Sequence, residues 1–230
     1  MANLCIIPAR GGSKRIHRKN VREFLGKPII SYSIELAISS SLFDEIMVST
    51  EDHGIKEVAL NCGAQVPFLR SLKNSDDYAT TFDVIKEVLD YYTYQNVTFD
   101  KICCIYPCAP LIQKGVLIKC FDLLNKKDLI STFPVVEYST PIQRALKFSN
   151  GLLKMNETNH INTRSQDLDK TYFDAGQFYW MNTKYVLNNK NIFSHNSSGI
   201  VVDNLYVQDI DNQNDWQIAE MKYKLLNDLV

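Results

Sequence analysis

Short apolar runs with strand character alternate with longer runs of helical spacing along most of the chain. This alternation constrains the fold more than any other feature, because strands that alternate with helices pair in parallel and carry helices on both faces of one sheet. The pattern predicts strands at 4–7, 46–48, 102–106 and 129–135. It predicts helices from Pro28 onward and at 55–61, 82–92, 116–124 and 216–226. We therefore expect an α/β fold with a Rossmann-like, mostly parallel sheet in a single domain of residues 1–230.

The segment 137–172 interrupts this alternation. It is polar, has weak periodicity and contains Gly151 in a predicted hairpin. It is also too long for a simple connection between two elements of a compact domain. We expect an excursion from the domain that acts as a lid, as a subunit contact, or as both.

Composition excludes several classes of protein. The formal net charge is −1, so a basic surface for nucleic acid is not expected. No run of about 18 apolar residues is present, so no membrane partner is expected either. The first residues have no basic region before their apolar run, which together with six cysteines in mostly apolar stretches predicts a cytoplasmic protein with reduced core thiols. Cys104 and Cys108 have no further ligands nearby for a metal site.

Ligands of a parallel α/β sheet bind beyond the carboxyl ends of its strands, which here are expected at Ile7, Val48, Tyr106 and Val207. The first of these loops becomes glycine-rich and basic as soon as it leaves its strand. Gly11 and Gly12 allow backbone N–H groups to approach an anion closely, and Arg10, Lys14 and Lys19 neutralise phosphate charge. The spacing is not that of a Walker loop. On these residues alone, a solvated basic loop is the alternative.

An acidic pair lies near the end of the chain. Asp209 and Asp211 are two residues apart, so an extended segment places both carboxylates on one face. Mg²⁺ binds proteins through few carboxylates, together with phosphate oxygens and water. The pair therefore suits a metal–triphosphate site, although acidic turn residues before a helix have the same pattern.

The segments 7–14 (IPARGGSK) and 18–20 (RKN) resemble the signature of the CMP-sialic acid synthetase family. The resemblance continues in the same order at 48–52, 66–70, 75–77 and 208–211, and so covers nearly the whole chain. It implies a cytidylyltransferase that transfers CMP from CTP to the anomeric hydroxyl of a nonulosonic acid and releases pyrophosphate. It also implies Mg²⁺ as cofactor and a homodimer formed through the excursion.

The resemblance assigns roles to individual residues. The implied catalytic residues are Arg10, Lys14, Asp209 and Asp211, of which the two aspartates also bind the metal. The implied CTP-binding residues are Ala9, Gly11, Gly12, Ser13, Lys19, Asn20, Arg70 and Asp76. For Arg70 the alternative is a surface arginine that caps a strand, and for Asp76 it is an acid at a helix N-terminus.

Later segments at 105–110, 141–145, 163–168 and 172–180 are most similar to the members of the family that use pseudaminic acid. Sialic acid enzymes usually have glutamine in place of Tyr106, which disfavours N-acetylneuraminic acid. The implied sugar-binding residues are Tyr106, Arg164, Gln166, Gln177 and Tyr179. A guanidinium fork binds a carboxylate bidentately, so Arg164 is expected to hold the sugar carboxylate. The aromatic residues at 172–180 are equally typical of a core or a dimer interface.

Alternatives remain open at this stage. Within the family they are CMP-N-acetylneuraminate and CMP-legionaminate synthesis. Outside it they are a glycosyltransferase with a D-x-D metal site and a non-catalytic nucleotide-binding module. The basic loop suits a leaving pyrophosphate better than a sugar-nucleotide donor, and the intact charged residues disfavour a non-catalytic module. No side chain is an obvious general base, so a metal-bound water and Asp209 are the candidates.

Overall fold

The computed structural model describes residues 2–126 and 128–228. Its strands are β1 (Asn3–Pro8), β2 (Glu23–Phe24), β3 (Lys27–Pro28), β4 (Glu45–Ser49), β5 (Lys101–Ile105), β6 (Ser131–Glu137), β7 (Leu146–Ser149), β8 (Leu152–Met155), β9 (Tyr172–Asp174), β10 (Phe178–Asn182) and β11 (Ser197–Val201). Its α-helices are α1 (Ile29–Ser40), α2 (His53–Asn61), α3 (Thr81–Tyr94), α4 (Lys114–Lys126), α5 (Thr183–Asn189) and α6 (Gln213–Leu226). Short 3-10 helices occupy Lys19–Val21, Leu72–Asn74, Ile142–Arg144, Thr158–His160, Ser165–Asp167 and Asn204–Tyr206.

The main sheet has the strand order β11-β6-β10-β5-β1-β4, and β9 pairs with β6 beside this path. β1 pairs in parallel with both β4 and β5, and β6 pairs in parallel with β11. β10 and β9 run antiparallel to their neighbours. The predicted Rossmann-like, mostly parallel sheet is therefore confirmed.

Alternate residues of β1 point to opposite faces of the sheet and enter two separate cores. Cys5 and Ile7 pack with apolar residues of α1, α2 and α4. Leu4 and Ile6 pack instead with residues of α3 and α5. All five residues of β5 are buried, which explains why its sequence shows no alternation. The prediction of helices on both faces is confirmed.

Two features differ from the expectation. No strand ends at Val207, because β11 already ends at Val201 and a 3-10 helix follows at Asn204–Tyr206. The prediction of a strand end there is wrong. β10 was not predicted as a strand, although it lies in the middle of the sheet. Its sequence FYWMN is apolar without alternation, so the sequence alone does not distinguish it from any other buried aromatic segment.

The excursion leaves from the end of β6 and returns at the start of β9. Glu137 and Tyr172 pair with each other across these two strands, which places the intervening chain outside the sheet. Within it, β7 and β8 form the predicted hairpin. Asn150 and Gly151 occupy its turn with φ of 52° and 78°, a conformation that Asn and Gly tolerate. A role as lid or subunit contact stays a prediction.

Most of the cysteines lie in the core, as the apolar stretches around them predict. All six cysteines are free thiols, and Cys5, Cys103, Cys104 and Cys120 are buried. Burial raises the pKa of each of these four thiols, so they stay protonated and unreactive. Within the part of the chain that the structure describes, no helix has both the length and the apolar character needed to span a membrane.

Two isoleucines one helical turn apart on α1 test the assignment of the core. Ile34 is fully buried, whereas Ile38 is 45% exposed. We expect Ile34→Ala to lower the free energy of unfolding by about 2–5 kcal/mol, because it leaves a cavity between helix and sheet. Ile38→Ala should cost less than about 1 kcal/mol. Urea unfolding followed by circular dichroism measures both, and equal losses would contradict this packing.

Candidate active site

The loop after β1 is held in shape by hydrogen bonds to the sheet and to itself. The N–H of Ala9 donates to the Ser49 carbonyl at 2.9 Å, which extends the pairing of β1 with β4. The buried Asn20 donates through Nδ2 to the Arg10 carbonyl at 2.8 Å, and its Oδ1 accepts a bond from Cys108 Sγ at 3.2 Å. Asn20 thus ties the end of the loop to its beginning and to the segment after β5.

This loop forms most of a cavity of about 190 Å³. The lining residues are Pro8, Arg10, Ser13, Lys14, Arg15, Ile16, Lys19, Asn20, Pro107 and Asp211. The cavity brings together residues predicted for catalysis (Arg10, Lys14 and Asp211) and for CTP binding (Ser13, Lys19 and Asn20). Cationic side chains and one carboxylate therefore surround a single small space.

A second cavity of about 230 Å³ shares Pro8 and Arg10 with the first. It is also lined by Arg70, Asn74, Asp76, Asp77, Ala79, Thr80, Thr81, Val84 and Tyr106. Arg70 and Asp76 were predicted to bind CTP, and Tyr106 was predicted to bind the sugar. Arg10 stands at the boundary of the two cavities, where one extended ligand would contact it from both sides.

Asp77 bridges two cations at that boundary. Its Oδ1 accepts a bond from Arg10 Nη1 at 2.8 Å, and its Oδ2 pairs with Lys14 Nζ. The hydrogen bonds from Lys14 and Arg10 lower the pKa of Asp77, so it is ionised at neutral pH. Sequence reasoning favoured its neighbour Asp76. The Asp76 carboxylate instead accepts from the N–H groups of Tyr78 and Ala79, at 2.9 Å and 2.8 Å.

The glycines act differently from the expectation. The N–H of Gly11 donates to Glu51 Oε1 at 2.7 Å, and the other oxygen of Glu51 is buried without a hydrogen-bond partner. A side chain at Gly11 would meet Asp52 Oδ2 at 2.7 Å, so only glycine fits there. A side chain at Gly12 would meet nothing within 4 Å. Ala9, Gly11 and Gly12 line neither cavity.

The acidic pair lies on a segment that precedes α6. Ile210 is buried between the two aspartates, and its carbonyl accepts a bond from Lys19 Nζ at 2.6 Å. Asp211 Oδ1 accepts from Arg15 Nη2 at 2.6 Å. Partial burial and the adjacent Asp211 carboxylate raise the pKa of Asp209.

The acidic pair has the donor set for one Mg²⁺. Among the described residues there is no group of three or more histidine, cysteine or acidic side chains that could hold a metal ion. Two carboxylates are nevertheless sufficient where phosphate oxygens and water complete the six ligands. A bound cation would also relieve the repulsion that raises the pKa of Asp209. The residues therefore fit the predicted cofactor.

Arg70 is buried, with 6% of its surface exposed. Its Nε donates to Ser49 Oγ at 2.9 Å, and its Nη2 donates to the Ser49 carbonyl. Burial lowers the pKa of its guanidinium, while nearby Glu51 and Glu87 act in the opposite direction. The alternative of a surface arginine is therefore wrong. Arg70 joins the end of β4 to one wall of the second cavity.

The predicted sugar-binding residues fall into two groups. Tyr106 lines the second cavity. Gln177 and Tyr179 are buried near it: Gln177 Nε2 donates to the Tyr206 carbonyl at 2.6 Å, and the Tyr179 hydroxyl donates to Asp174. Both side chains support the wall and do not line the cavity.

Arg164 and Gln166 form the second group and lie on the excursion. Arg164 pairs with Asp167 in its own turn, with Nε 2.7 Å from Oδ2. Gln166 lines a separate cavity of about 300 Å³ within the excursion, beside Glu137 and Lys170. Neither residue lines the two cavities described above, so the fold of one chain does not gather all of the predicted sugar-binding residues.

A family model described as cytidylyltransferase matches residues 4–213, a range that contains every residue of both cavities. The chain belongs to the cytidylyltransferase family. It is therefore an enzyme of nucleotidyl transfer, as the resemblance of its loop implied. The charged groups that line the two cavities of this cytidylyltransferase are Arg10, Lys14, Arg15 and Lys19 of the loop, together with Arg70, Asp76, Asp77 and Asp211.

Known proteins similar to this cytidylyltransferase extend the match. A pseudaminic acid cytidylyltransferase of Campylobacter jejuni is 44% identical over 226 residues, covering 98% of this chain and 97% of the relative. A CMP-N,N'-diacetyllegionaminic acid synthase of Legionella pneumophila is 30% identical, covering 98% and 97%. A CMP:2-keto-3-deoxy-manno-octonic acid synthetase, solved with CTP, has a TM-score of 0.72 at 15% identity and covers 99% of this chain and 100% of that one. The last comparison supports the fold alone.

The bridge formed by Asp77 yields a prediction for this cytidylyltransferase. Its carboxylate pairs with Arg10 and Lys14, the two cations that are predicted to contact the triphosphate. Asp77→Asn should therefore tighten the binding of inorganic tripolyphosphate by about two- to fivefold, as expected for an exposed ion pair that competes with an anion. Isothermal titration calorimetry measures the dissociation constant.

The matched control is Asp90→Asn, which removes the acid of an exposed Lys86–Asp90 pair on α3. It changes the net charge equally without touching the loop, so binding should change less than in the Asp77 variant. Weaker tripolyphosphate binding by Asp77→Asn would show that Asp77 supports the anion site instead of competing for it.

Proposed function

We propose that this enzyme transfers CMP from CTP to the anomeric hydroxyl of pseudaminic acid, a nonulosonic acid, and releases pyrophosphate. The observation that carries the proposal is the cavity in which Arg10, Lys14 and Lys19 converge with Asp211. Displacement at phosphorus requires positioning and neutralisation of charge more than covalent catalysis, and this cavity supplies both.

The cations of the loop have distinct tasks in this proposal. Arg10 lies at the boundary of the two cavities, so it suits the phosphate nearest the nucleoside. Lys14 is 77% exposed, so it suits the pyrophosphate, which must leave toward solvent. Lys19 is held by the carbonyl of Ile210, which keeps its charge beside the acidic pair.

Asp209 and Asp211 are the residues that we propose to hold Mg²⁺. When bound, this ion polarises the phosphate under attack and offsets charge on the leaving group. Asp211 faces the cavity beside the cations of the loop, and Arg15 orients its carboxylate.

Pseudaminic acid is favoured over other nonulosonic acids by two observations. Identity is 44% to the relative named for pseudaminic acid and 30% to the one named for diacetyllegionaminic acid, at equal coverage. Tyr106 also brings an aromatic ring and one hydroxyl to the wall of the second cavity. An aromatic wall matches the methyl-ended tail of pseudaminic acid better than the additional hydroxyl groups of N-acetylneuraminic acid.

A homodimer formed through the excursion 137–172 is part of the proposal. Leu146, Phe148 and Leu153 are exposed large apolar residues on β7 and β8, and Phe148 reaches 78% exposure. A two-stranded hairpin with an uncovered apolar face is marginal on its own. A second copy would cover it, and Arg164 of one excursion would then be available to the sugar carboxylate at the other subunit.

We further propose that residues 1–230 act as one domain in the cytoplasm. Support for this compartment comes from the six cysteines, which are free although several lie close together in the core. In an oxidising compartment such thiols would be liable to cross-link during folding.

The proposed substrates yield a direct prediction. With CTP, Mg²⁺ and a panel of nonulosonic acids, kcat/KM should favour pseudaminic acid over N-acetylneuraminic acid by at least about a hundredfold, because unpaired buried hydroxyls are costly. Pyrophosphate release measures the rate, and mass spectrometry identifies the CMP-sugar.

The same assay distinguishes the proposed function from its alternatives. Preference for diacetyllegionaminic acid would refute the choice of sugar but leave the cytidylyltransferase reaction standing. A glycosyltransferase would need an acceptor glycan and would release no pyrophosphate from CTP. A non-catalytic module would bind CTP without turnover.

The metal assignment is tested at Asp211. Asp211→Ala should lower kcat by about a hundredfold or more, and excess Mg²⁺ should not restore it, because one of two metal ligands is lost. Since Asp211 also pairs with Arg15, Arg15→Met is the comparison variant. It breaks the same ion pair but leaves both carboxylates, so Mg²⁺-dependent turnover should persist. If Arg15→Met reproduces the loss, the ion pair and not the metal explains it.

A further inference from the structure

Cys108 joins the basic loop to the acidic segment without lining the first cavity itself. It follows Pro107, which does line that cavity. Its Sγ donates to Asn20 Oδ1 at 3.2 Å. Its side chain also packs against the apolar cluster that contains Ile16 of the loop and Ile210, the residue between the two aspartates. The thiol therefore contacts both chain segments that supply the charged groups of the cavity.

The Asn20 amide has a different partner at each end. Nδ2 donates to the Arg10 carbonyl at 2.8 Å, and Oδ1 accepts from Cys108. A carbonyl only accepts hydrogen bonds, so the NH₂ end must face Arg10 and the oxygen end must face a donor. Asn20 is only 5% exposed, so water has little access to that oxygen. The S–H group of Cys108 takes the place of water there.

The Cys108 thiol has a proton to donate at neutral pH. Burial raises its pKa to about 12, Asp209 acts in the same direction, and Lys19 acts in the opposite one. A thiol is a weak donor. The oxygen that it serves is buried, however, and leaving a buried acceptor without a partner costs more than an average hydrogen bond contributes. A weak donor at this position therefore matters more than its strength in water suggests.

We propose that Cys108 is a positioning residue that acts through Asn20: its thiol fixes the amide of Asn20, and the amide holds Arg10 and Lys19 in the arrangement that binds a triphosphate. The inference rests on the proposed function, which supplies the triphosphate. Asn20 directly follows Lys19 in the chain and is bonded to the backbone of Arg10, and both cations line the first cavity. Without the donor, the amide turns to satisfy its oxygen and loses the bond to the Arg10 carbonyl.

Two variants separate this role from simple packing. Cys108→Ala keeps the position apolar but has no donor. Cys108→Ser keeps a donor but places a hydroxyl group in an apolar cluster, which costs stability. A packing role therefore predicts that alanine is tolerated at least as well as serine, whereas the proposed role predicts that anion binding is better with serine. Cys108→Val also lacks a donor, and it replaces Cys108→Ala if that variant folds poorly.

The measurements are the dissociation constant of inorganic tripolyphosphate by calorimetry, the melting temperature, and KM and kcat for CTP. We expect Cys108→Ala to raise the dissociation constant and KM by about fivefold or more, with kcat changed less. Cys108→Ser should keep both binding parameters within about twofold of wild type, even where it lowers the melting temperature more than alanine does. Anion binding should therefore follow the donor and not the stability.

A double variant tests whether Cys108 acts through Asn20. Asn20→Ala alone should weaken tripolyphosphate binding, because it removes the bond to the Arg10 carbonyl. In the Asn20→Ala background, Cys108→Ala should change the dissociation constant by less than about twofold, because the link is already broken. If the two losses instead multiply, Cys108 acts by another route and the inference is overturned.

Cys62→Ala is the matched control. Cys62 Sγ donates to Ser31 Oγ at 3.4 Å, and neither residue lines the two cavities of the site. This variant also removes a thiol that donates to a side-chain oxygen, but it should leave tripolyphosphate binding unchanged.

Three outcomes overturn the inference: wild-type protein that does not bind tripolyphosphate, Cys108→Ala within about twofold of wild type, and Cys108→Ser as impaired as Cys108→Ala. The proposed function fails in a different way. Wild-type protein would then bind tripolyphosphate but release no pyrophosphate from CTP with any of the sugars. The comparison of the binding constants would still decide the role of Cys108 in the anion site.

Discussion

The parallel pairing of β1 with β4 and β5 is the constraint on which the rest of the molecule depends. It brings the ends of three strands to one edge of the sheet, where the residues that follow them either line the site or hold its loop in place. The cationic loop follows β1, Glu51 and Asp52 follow β4, and Tyr106 follows β5. Residues far apart in sequence therefore become neighbours at this edge.

Charge compensation keeps this edge organised. Five of the residues from Arg10 to Lys19 are arginine or lysine, and such a loop would repel itself if left unpaired. Instead, the cations have carboxylates nearby. Asp77 bridges Arg10 and Lys14, and Asp211 pairs with Arg15. Asp52 Oδ1 lies 3.5 Å from Arg18 Nη2. The pairs are exposed enough to exchange partners easily. In the proposed function these cations form a preformed anion site, and the protein's own carboxylates pair with them until the triphosphate binds.

The sequence was sufficient to predict those parts of the fold and of the site that one local pattern determines. Alternation of apolar runs predicted the sheet, and composition of the first loop predicted the cations that line its cavity. It was insufficient where a residue's role depends on contacts with residues far away in the sequence. In the sequence, Asp77 has the same pattern as any acidic residue that precedes a helix, and only the fold brings it to Lys14. The aromatic residues of β10 show no alternation that would mark the segment as a central strand. The resemblance assigns Arg164 and Gln166 to the sugar site, but both lie on the excursion, and in the proposed homodimer a second subunit brings them to the site.

The antiparallel strand β10 has a consequence for how the molecule is made. It is the link between the β4–β1–β5 half of the main sheet and the β6–β11 half, and it follows the excursion in the chain. A ribosome therefore releases β1, β4, β5 and β6 before the strand that joins them exists. β10 pairs with β5 across a long stretch of intervening chain, and non-local pairings of this kind slow folding. Tyr179 lies on that same strand. The residue that supports Tyr106 therefore takes its place only when β10 completes the sheet. A chain that stops folding before this step has both an exposed core and an incomplete cavity.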